Sequence, residues 1–296
     1  MHSPGSDNLC LLPQHSLYPP RLKQLSSPPQ KLYYCGDLNL LQATGTWIGI
    51  VGTRRASEYG LRVCASLVAG LKSIGPIIVS GMAMGIDGMA HQAALDHGLK
   101  TVGVLGSSLD RIYPARNLWL RDRLLEKQGL LLTELEAGTE FRPWHFPKRN
   151  RLIAALSQIL VVIEAPEKSG ALITAHHALE LGREIYVVPG PIDSPQHRGG
   201  HRLIQQGARL LMDFQDILQD LGWTPQAAPP SKPLPPLGTN EAKLLEIIGK
   251  IPHHLDNIVA ISHLPLPLVT GLLMRLSLQG LIEELPGNRF VGKIPL

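Results

Sequence analysis

Six short apolar runs through the middle of the chain constrain its fold more than any other feature: Trp47–Val51, Ile77–Ser80, Thr101–Leu105, Leu130–Glu134, Ile159–Glu164 and Ile185–Val188. Each is brief, rich in Val, Ile or Leu, and mostly continuous rather than alternating. A strand with one wet face alternates apolar and polar side chains, whereas a continuous run belongs to a strand covered on both faces, as in a parallel sheet. Between the runs lie amphipathic stretches with helical spacing. One is Ser57–Lys72, which sets Leu61, Ala65, Val68 and Leu71 on one side. Strand–helix alternation from Trp47 to about Trp223 predicts an α/β domain, residues 46–223, built on a doubly wound sheet.

Residues 224–239 hold six prolines, and such a segment stays extended as a semi-rigid linker. Beyond it, Asn240 is placed to cap a helix running to Gly249, Asp256 to cap a second, and Leu266–Gly280 reads as a third. Leu281–Glu284, a turn at Pro286–Asn288, and Arg289–Gly292 read as a hairpin. Three helices and a hairpin predict a small C-terminal winged helix over residues 240–296. There, five basic residues (Lys243, Lys250, Arg275, Arg289, Lys293) balance five acidic ones (Glu241, Glu246, Asp256, Glu283, Glu284), and the third helix carries only Arg275 as a cation. A net-neutral module gains little from releasing a polyanion's counterions. It is expected to add little DNA affinity, with contact to another protein as the alternative role.

Composition excludes several classes. With 44% hydrophobic and 18% charged residues the chain is globular rather than disordered. The net charge of +4 permits a polyanionic partner without demanding one. Cys10, Cys35 and Cys64 are far apart and match no zinc or redox spacing, so they read as reduced thiols. No apolar run reaches the ~20 residues needed to cross a bilayer. Met1–Pro20 lacks a basic start followed by an apolar stretch. The expectation is a cytoplasmic protein with no membrane partner, no cofactor and no metal.

Several runs end in Gly-rich or polar turns: Gly52-Thr53-Arg54-Arg55, Ser80-Gly81-Met82-Ala83-Met84-Gly85, Gly106-Ser107-Ser108 and Ser169-Gly170. In an open α/β sheet the carboxyl ends of the strands converge on one crevice. Glycine lets a phosphate approach the backbone there, and the next helix offers free N–H groups. Tight turns also need glycine for steric reasons alone, so the argument lies in the recurrence of such turns along one edge. The first of them lacks the spaced glycines of a dinucleotide loop. Its two arginines suggest phosphate contact by side chains, with a solvated surface pair as the alternative.

The segment Phe141-Arg142-Pro143-Trp144-His145-Phe146-Pro147-Lys148-Arg149-Asn150-Arg151 combines cations and aromatics with no acid. Cations neutralise backbone phosphates, and aromatic faces stack on unpaired bases. Pro147 suits the first turn of a helix, which puts Lys148, Arg149 and Arg151 near a helix start. The helix dipole favours cations at the other end, so binding explains them better than helix stability does. Asp87 and His91, four apart on a helical segment, have the chemistry of an acid–base pair. No nucleophile or metal set accompanies them, and Asp87 reads better as a cap or an orienter of a turn. His176 and His177 are adjacent, face different directions on a helix, and make no metal pair.

Taken in order, Ile50-Val51-Gly52-Thr53-Arg54, Ser80–Asp87, Phe146–Arg151, Glu164-Ala165, Ser169–Ala175, Val188-Pro189-Gly190 and Leu203–Ala208 closely resemble the DNA-processing protein DprA (Smf) family. The resemblance runs from about Tyr18 to Trp223. It implies an extended Rossmann fold, homodimerisation, and single-stranded DNA binding that protects incoming DNA and helps load the RecA recombinase during natural transformation and recombination. Carried over residue by residue, the family's binding pocket falls on Arg54, Ser80, Gly81, Lys148, Arg149, Asn150 and Arg151, with Ser169 and Gly170 nearby and Phe146 as a stacking or wall surface. Met84 stands where many members carry an arginine, His201 replaces an asparagine and Thr133 a serine. Residues 1–45 correspond to the family's connecting segment, so its N-terminal helical domain is expected to be absent.

The rival reading is a Rossmann-type hydrolase of the N-glycosidic bond in nucleoside monophosphates. That chemistry needs a glutamate after the Gly-rich turn, and here Ser169-Gly170-Ala171-Leu172-Ile173-Thr174 offers no carboxylate before Glu180. A duplex-DNA regulator acting through the winged helix is the third possibility, disfavoured by that module's neutral charge.

Overall fold

The computed structural model describes residues 10–140, 142–223, 237–249 and 251–292. Phe141, Lys250, Lys293 and residues 224–236 of the expected linker lie outside them. The chain divides into two compact units, Met1–Gly222 and Trp223–Leu296.

In the first unit the chain runs through β1 (Cys10–Leu11), β2 (Leu32–Gly36), β3 (Trp47–Val51), α1 (Glu58–Gly70), β4 (Ile77–Ser80), α2 (Ile86–Asp96), β5 (Thr101–Val104), α3 (Leu118–Glu126) and β6 (Leu130–Thr133). It continues through α4 (His145–Leu156), β7 (Ile159–Val162), α5 (Gly170–Glu180), β8 (Glu184–Val187), α6 (Arg198–Gln205), β9 (Arg209–Leu210) and α7 (Phe214–Asp220). All six apolar runs form strands, each within a residue or two of the expected bounds. The described strands make one sheet in the order β1-β2-β6-β5-β4-β3-β7-β8-β9. From β6 to β9 every pairing is parallel, while β2 joins β6 antiparallel and β1 joins β2 antiparallel.

Both faces of the parallel strands are covered, as their continuous apolarity requires. Alternate residues Trp47, Val51, Val79, Val104, Leu132, Leu160 and Val162 enter one core with Leu152–Leu156 of α4 and Ala171, Ala175 and Ala178 of α5. On the other side Met82, Leu95, Leu105, Leu120, Leu124 and Leu131 pack together beneath α2 and α3. The N-terminal segment does more than connect: β1 and β2 extend the sheet, and Tyr18 and Leu22 enter the first core. Helix α1 is capped by the Ser57 side chain, which accepts from the Gly60 N–H at 3.0 Å. Its buried side is centred on Cys64, Leu67 and Val68, so Leu61 and Ala65, expected there, are only half-buried.

The second unit is a winged helix: α8 (Thr239–Ile248), β10 (His253–His254), α9 (Leu255–Ser262), α10 (Leu266–Leu278), β11 (Ile282–Leu285) and β12 (Arg289–Gly292), with β12 central in a small antiparallel sheet. Two expected caps shift. Asn240 lies inside α8, because the Glu241 carboxylate reaches back to accept from the Gly238 N–H at 2.7 Å. At α9 the cap is His254, whose Nδ1 accepts from the Asp256 N–H. Leu244, Ile248, Ile258, Val269, Leu273, Leu276, Ile282 and Phe290 form this unit's own core. Among the described residues no single helix is long and apolar enough to cross a membrane; α9 and α10 pass that test only as a pair bent by 114°.

Leu160 is fully buried in β7, an interior strand paired on both sides by β3 and β8. Leu160→Ala is expected to lower stability by about 2–5 kcal/mol, because the rigid parallel sheet cannot collapse into the cavity. A urea unfolding curve with an unchanged slope and a lower midpoint is the check.

Candidate nucleic-acid interface

The sheet order places the site. From β3 the chain moves outward through β4, β5 and β6, then returns beneath α4 to lay β7 on the other side of β3. At such a reversal the loops leaving the two adjacent strands part in opposite directions and leave a crevice beyond their carboxyl ends. Here those loops are Gly52–Arg55 after β3 and Ile163–Ser169 after β7. The Glu164 carbonyl accepts from the Thr53 N–H at 2.7 Å, and its buried carboxylate accepts from the Ser57 N–H at 3.0 Å and from the Ser57 hydroxyl. With the two loops stitched together, Arg54 and Arg55 point into solvent.

Between them opens a cleft of about 550 Å³, with Arg54, Arg55, Phe146, Asn150, Lys168 and Ser169 on its walls. The first turns of two helices border it. Ser169 caps α5, its hydroxyl accepting from the Ala171 N–H at 3.2 Å. Phe146 and Pro147 bring the start of α4 to the same rim, and Pro147 lies in that helix's first turn as its ring requires. Helix N-termini carry unpaired N–H groups and a partial positive charge, which makes such a rim attractive to anions. Asn150 bridges the two helices: its Nδ2 donates to the Gly170 carbonyl at 3.0 Å, and its Oδ1 accepts from Arg149 Nε at 3.2 Å. The Arg54 guanidinium lies 4.9 Å over the Phe146 ring, and Tyr113 approaches the same ring at 5.5 Å. Gly106 makes room for that ring, since a Cβ there would stand 2.6 Å from it.

The residues expected to bind from sequence divide by position. Arg54, Phe146, Arg149, Asn150, Ser169 and Gly170 line the cleft. Ser80 is fully buried beneath it, its hydroxyl donating to the Ile50 carbonyl at 2.6 Å. Gly81 is a spacer: a Cβ would sit 2.5 Å from Asp87 Oδ2 and 2.6 Å from Arg149 Nη2. Arg149 is only 5% exposed and points inward. Its Nη1 donates to the carbonyls of Gly81, at 2.5 Å, and of Val104. Burial pulls its pKa down to about 10, against the pull of the Asp87 carboxylate. Burial in turn pushes the Asp87 carboxyl up, and Arg149 holds it down. Arg151 leaves the cleft altogether and pairs with Glu134 at 2.5 Å, both partners largely buried. Lys148 is exposed but borders a separate small depression beside His145 and Glu134.

The cations that face solvent in the cleft are therefore Arg54, Arg55 and Lys168, and none of the three is in an ion pair among the described residues. Sequence reasoning missed Lys168. The available signal was a cation directly before the N-cap serine of the helix after β7. Asp87, expected as a cap or as an orienter of a turn, lies in the first turn of α2 behind Gly85 and accepts from the Ala83 N–H of the preceding turn.

Residues 9–222 match the DNA recombination-mediator protein A family, and residues 226–288 match the DprA winged helix domain. The chain belongs to the DNA recombination-mediator protein A family. Its relatives include the DNA processing protein DprA of Bacillus subtilis, 44% identical over 204 residues that cover 69% of this chain and 68% of the relative. Protein Smf of Escherichia coli is 36% identical over 297 aligned positions, covering 95% and 79%. Among solved structures, DprA from Streptococcus pneumoniae superposes with a TM-score of 0.69 at 38% identity, covering 73% of this chain and 75% of that one. DNA processing protein A from Helicobacter pylori, studied for its single-stranded DNA binding mode, gives 0.63 at 32% identity over 69% and 92%.

Beneath the cleft of this DprA-family domain lies His91, fully buried. The Thr101 hydroxyl donates to the Ile78 carbonyl at 2.9 Å, so it accepts from His91, whose Nδ1 at 2.7 Å carries the proton. Burial lowers the imidazole pKa from 6.5 to about 3, and the nearby Arg149 charge adds to the effect. The folded chain thus holds His91 neutral where the unfolded chain protonates it. The stability that follows is complete above the unfolded value and is lost as pH falls from 6.5 toward about 3. Between pH 7 and pH 5 the wild type is expected to lose about 2 kcal/mol more than His91→Gln. Urea unfolding of both proteins at the two pH values measures it, and parallel losses would rule the effect out.

Proposed function

We propose that the cleft binds single-stranded DNA and breaks no bond in it. The observation that carries this reading is the Arg54–Phe146 stack at the sheet's reversal point, between two helix N-termini and beside Arg55 and Lys168. Cations and N–H groups suit phosphates, and the exposed part of an aromatic ring suits a base that has no pairing partner. The single-stranded DNA binding described for the Helicobacter pylori relative supports the same assignment.

In this reading Arg54, Arg55 and Lys168 take phosphates, Ser169 and Gly170 present the N-terminus of α5, and Phe146 stacks. Ser80, Gly81, Arg149 and Asn150 shape the floor. Arg151 acts at a distance through Glu134, and Lys148 is placed for a strand that leaves the cleft. Protection of incoming DNA, RecA loading in natural transformation and recombination, homodimerisation and a cytoplasmic location complete the proposal and rest on the family resemblance.

One observation favours the rival hydrolase: the buried Asp87 carboxylate borders the cleft. Base release from nucleoside monophosphates by the wild type, abolished in Asp87→Asn, would establish that activity.

Fluorescence anisotropy with a labelled oligo-dT tests the binding reading. Arg54→Ala is expected to weaken affinity about tenfold or more, through loss of a phosphate contact and of the stacked guanidinium. Three neutralised phosphates give a log–log salt slope of about −2, at roughly 0.7 per phosphate on a single strand. A salt-insensitive affinity would count against the proposal. Removing residues 224–296 is expected to change affinity less than tenfold, since the winged helix offers little charge to a polyanion.

A further inference from the structure

The cleft does not end at Phe146. Tyr113 borders it and also borders a second depression of about 370 Å³, formed with Arg111, Ile112 and Glu140. The Tyr113 backbone is anchored, because its N–H donates to the buried Ser107 hydroxyl at 3.2 Å. Tyr113 is 41% exposed, and its ring is tilted by 52° against that of Phe146. An aromatic ring carried on an anchored backbone between two adjoining hollows, one of them rimmed by cations and helix N-termini, has the geometry of a divider between successive bases.

We propose that Tyr113 is a second stacking platform and that the depression beyond it is a second nucleotide subsite. The inference rests on the single-strand reading of the cleft. One base stacks on the exposed part of Phe146 beside Arg54, and the next passes to the far side of Tyr113. In the second hollow Arg111 faces solvent, and its contact with the exposed Asp110 is loose at 3.8 Å, so its guanidinium can take a phosphate. Glu140, also exposed, repels phosphate from its own side. The strand therefore lies with its backbone toward Arg111 and its base toward Glu140. The π face of Tyr113 carries the stacking, and the phenol hydroxyl has no part in it.

The experiment uses the full chain with oligo-dT of increasing length, and a parallel set carrying a single 2-aminopurine moved along the oligomer. Tyr113→Leu is expected to weaken binding of the longer oligomers by about 5- to 100-fold, the range of one lost base–aromatic stack. Tyr113→Phe binds within about twofold of wild type, as stacking without a hydroxyl requires. With Arg111 as a fourth phosphate contact the wild-type slope on longer oligomers steepens to about −2.8, and Arg111→Ala returns it to about −2. With wild type, 2-aminopurine fluorescence is quenched at two neighbouring positions. If Tyr113→Leu binds like wild type while Arg54→Ala fails, or if quenching occurs at one position only, the second platform is overturned and the single-strand reading stands. If wild type binds no oligomer, that reading falls as well. The quenching pattern needs no variant, so it decides the matter even if Tyr113→Leu does not fold.

Discussion

A guanidinium withdrawn from water must have its donors satisfied, and the cleft is organised around the way Arg149 meets that demand. Its Nη1 reaches the carbonyls that follow β4 and end β5, its Nε reaches Asn150, and Asn150 in turn holds the first carbonyl of α5. Across Gly81 stands the Asp87 carboxylate of α2. The desolvation of a charge costs several kcal/mol, and it is offset only when all of these elements are in place together. One side chain thus sets the positions of two strand ends and three helices, and with them the shape of the site above. Gly81 follows from the same constraint, because any side chain there would occupy the space between the two charged groups.

With Arg149 inside, the surface chemistry of the cleft rests on a small set of exposed groups and on backbone dipoles. Arg54, Arg55 and Lys168 supply charge from two loops that Glu164 clamps together. The helix starts at Phe146 and Ser169 supply N–H groups whose directions are fixed by the fold, so little ordering is needed when an anion arrives. Phe146 is held from behind by Gly106 and from above by Arg54. A duplex keeps its bases stacked inside and offers no face to such a ring, whereas an unpaired strand does. In the proposed reading, a preference for single strands follows from that stacking surface more than from net charge.

The strands were legible because both-face burial leaves a direct trace, namely unbroken apolar runs such as Ile159–Val162. The turns at their ends were legible for a related reason: few residues other than glycine and small polar ones fit there. The direction of each cation was not. Arg149 and Arg151 lie in the same basic segment as Lys148, and nothing in spacing alone says that the first enters the interior, the second meets Glu134 and the third faces water. That assignment comes from β4, β5 and β6, far away in sequence. The antiparallel strand β2 escaped notice because Leu32–Gly36 is short, follows Pro28 and Pro29, and gains its order from pairing with β6 on one side and β1 on the other. The caps of α8 and α9 shifted because Glu241 and His254 satisfy the free N–H groups from positions that a rule based on Asn and Asp does not consider.

The same logic applied to the winged helix leads to a different result. In α10 the stripe Pro267, Gly271, Met274 and Leu278 faces solvent with no charge, Met274 being 69% and Leu278 82% exposed. The cation of that helix, Arg275, is 3.3 Å from the buried Glu241. The Glu241 carboxylate is already committed to the Gly238 N–H, so Arg275 helps to neutralise an interior charge. A recognition helix of this kind has neither free guanidinium groups for base edges nor cations for phosphates. Its binding energy, where it binds anything, must come from removing apolar surface from water. The two units of the chain therefore present different chemistry to solvent: charge and helix dipoles at the cleft of the Rossmann-like unit, and apolar area along α10 of the winged helix.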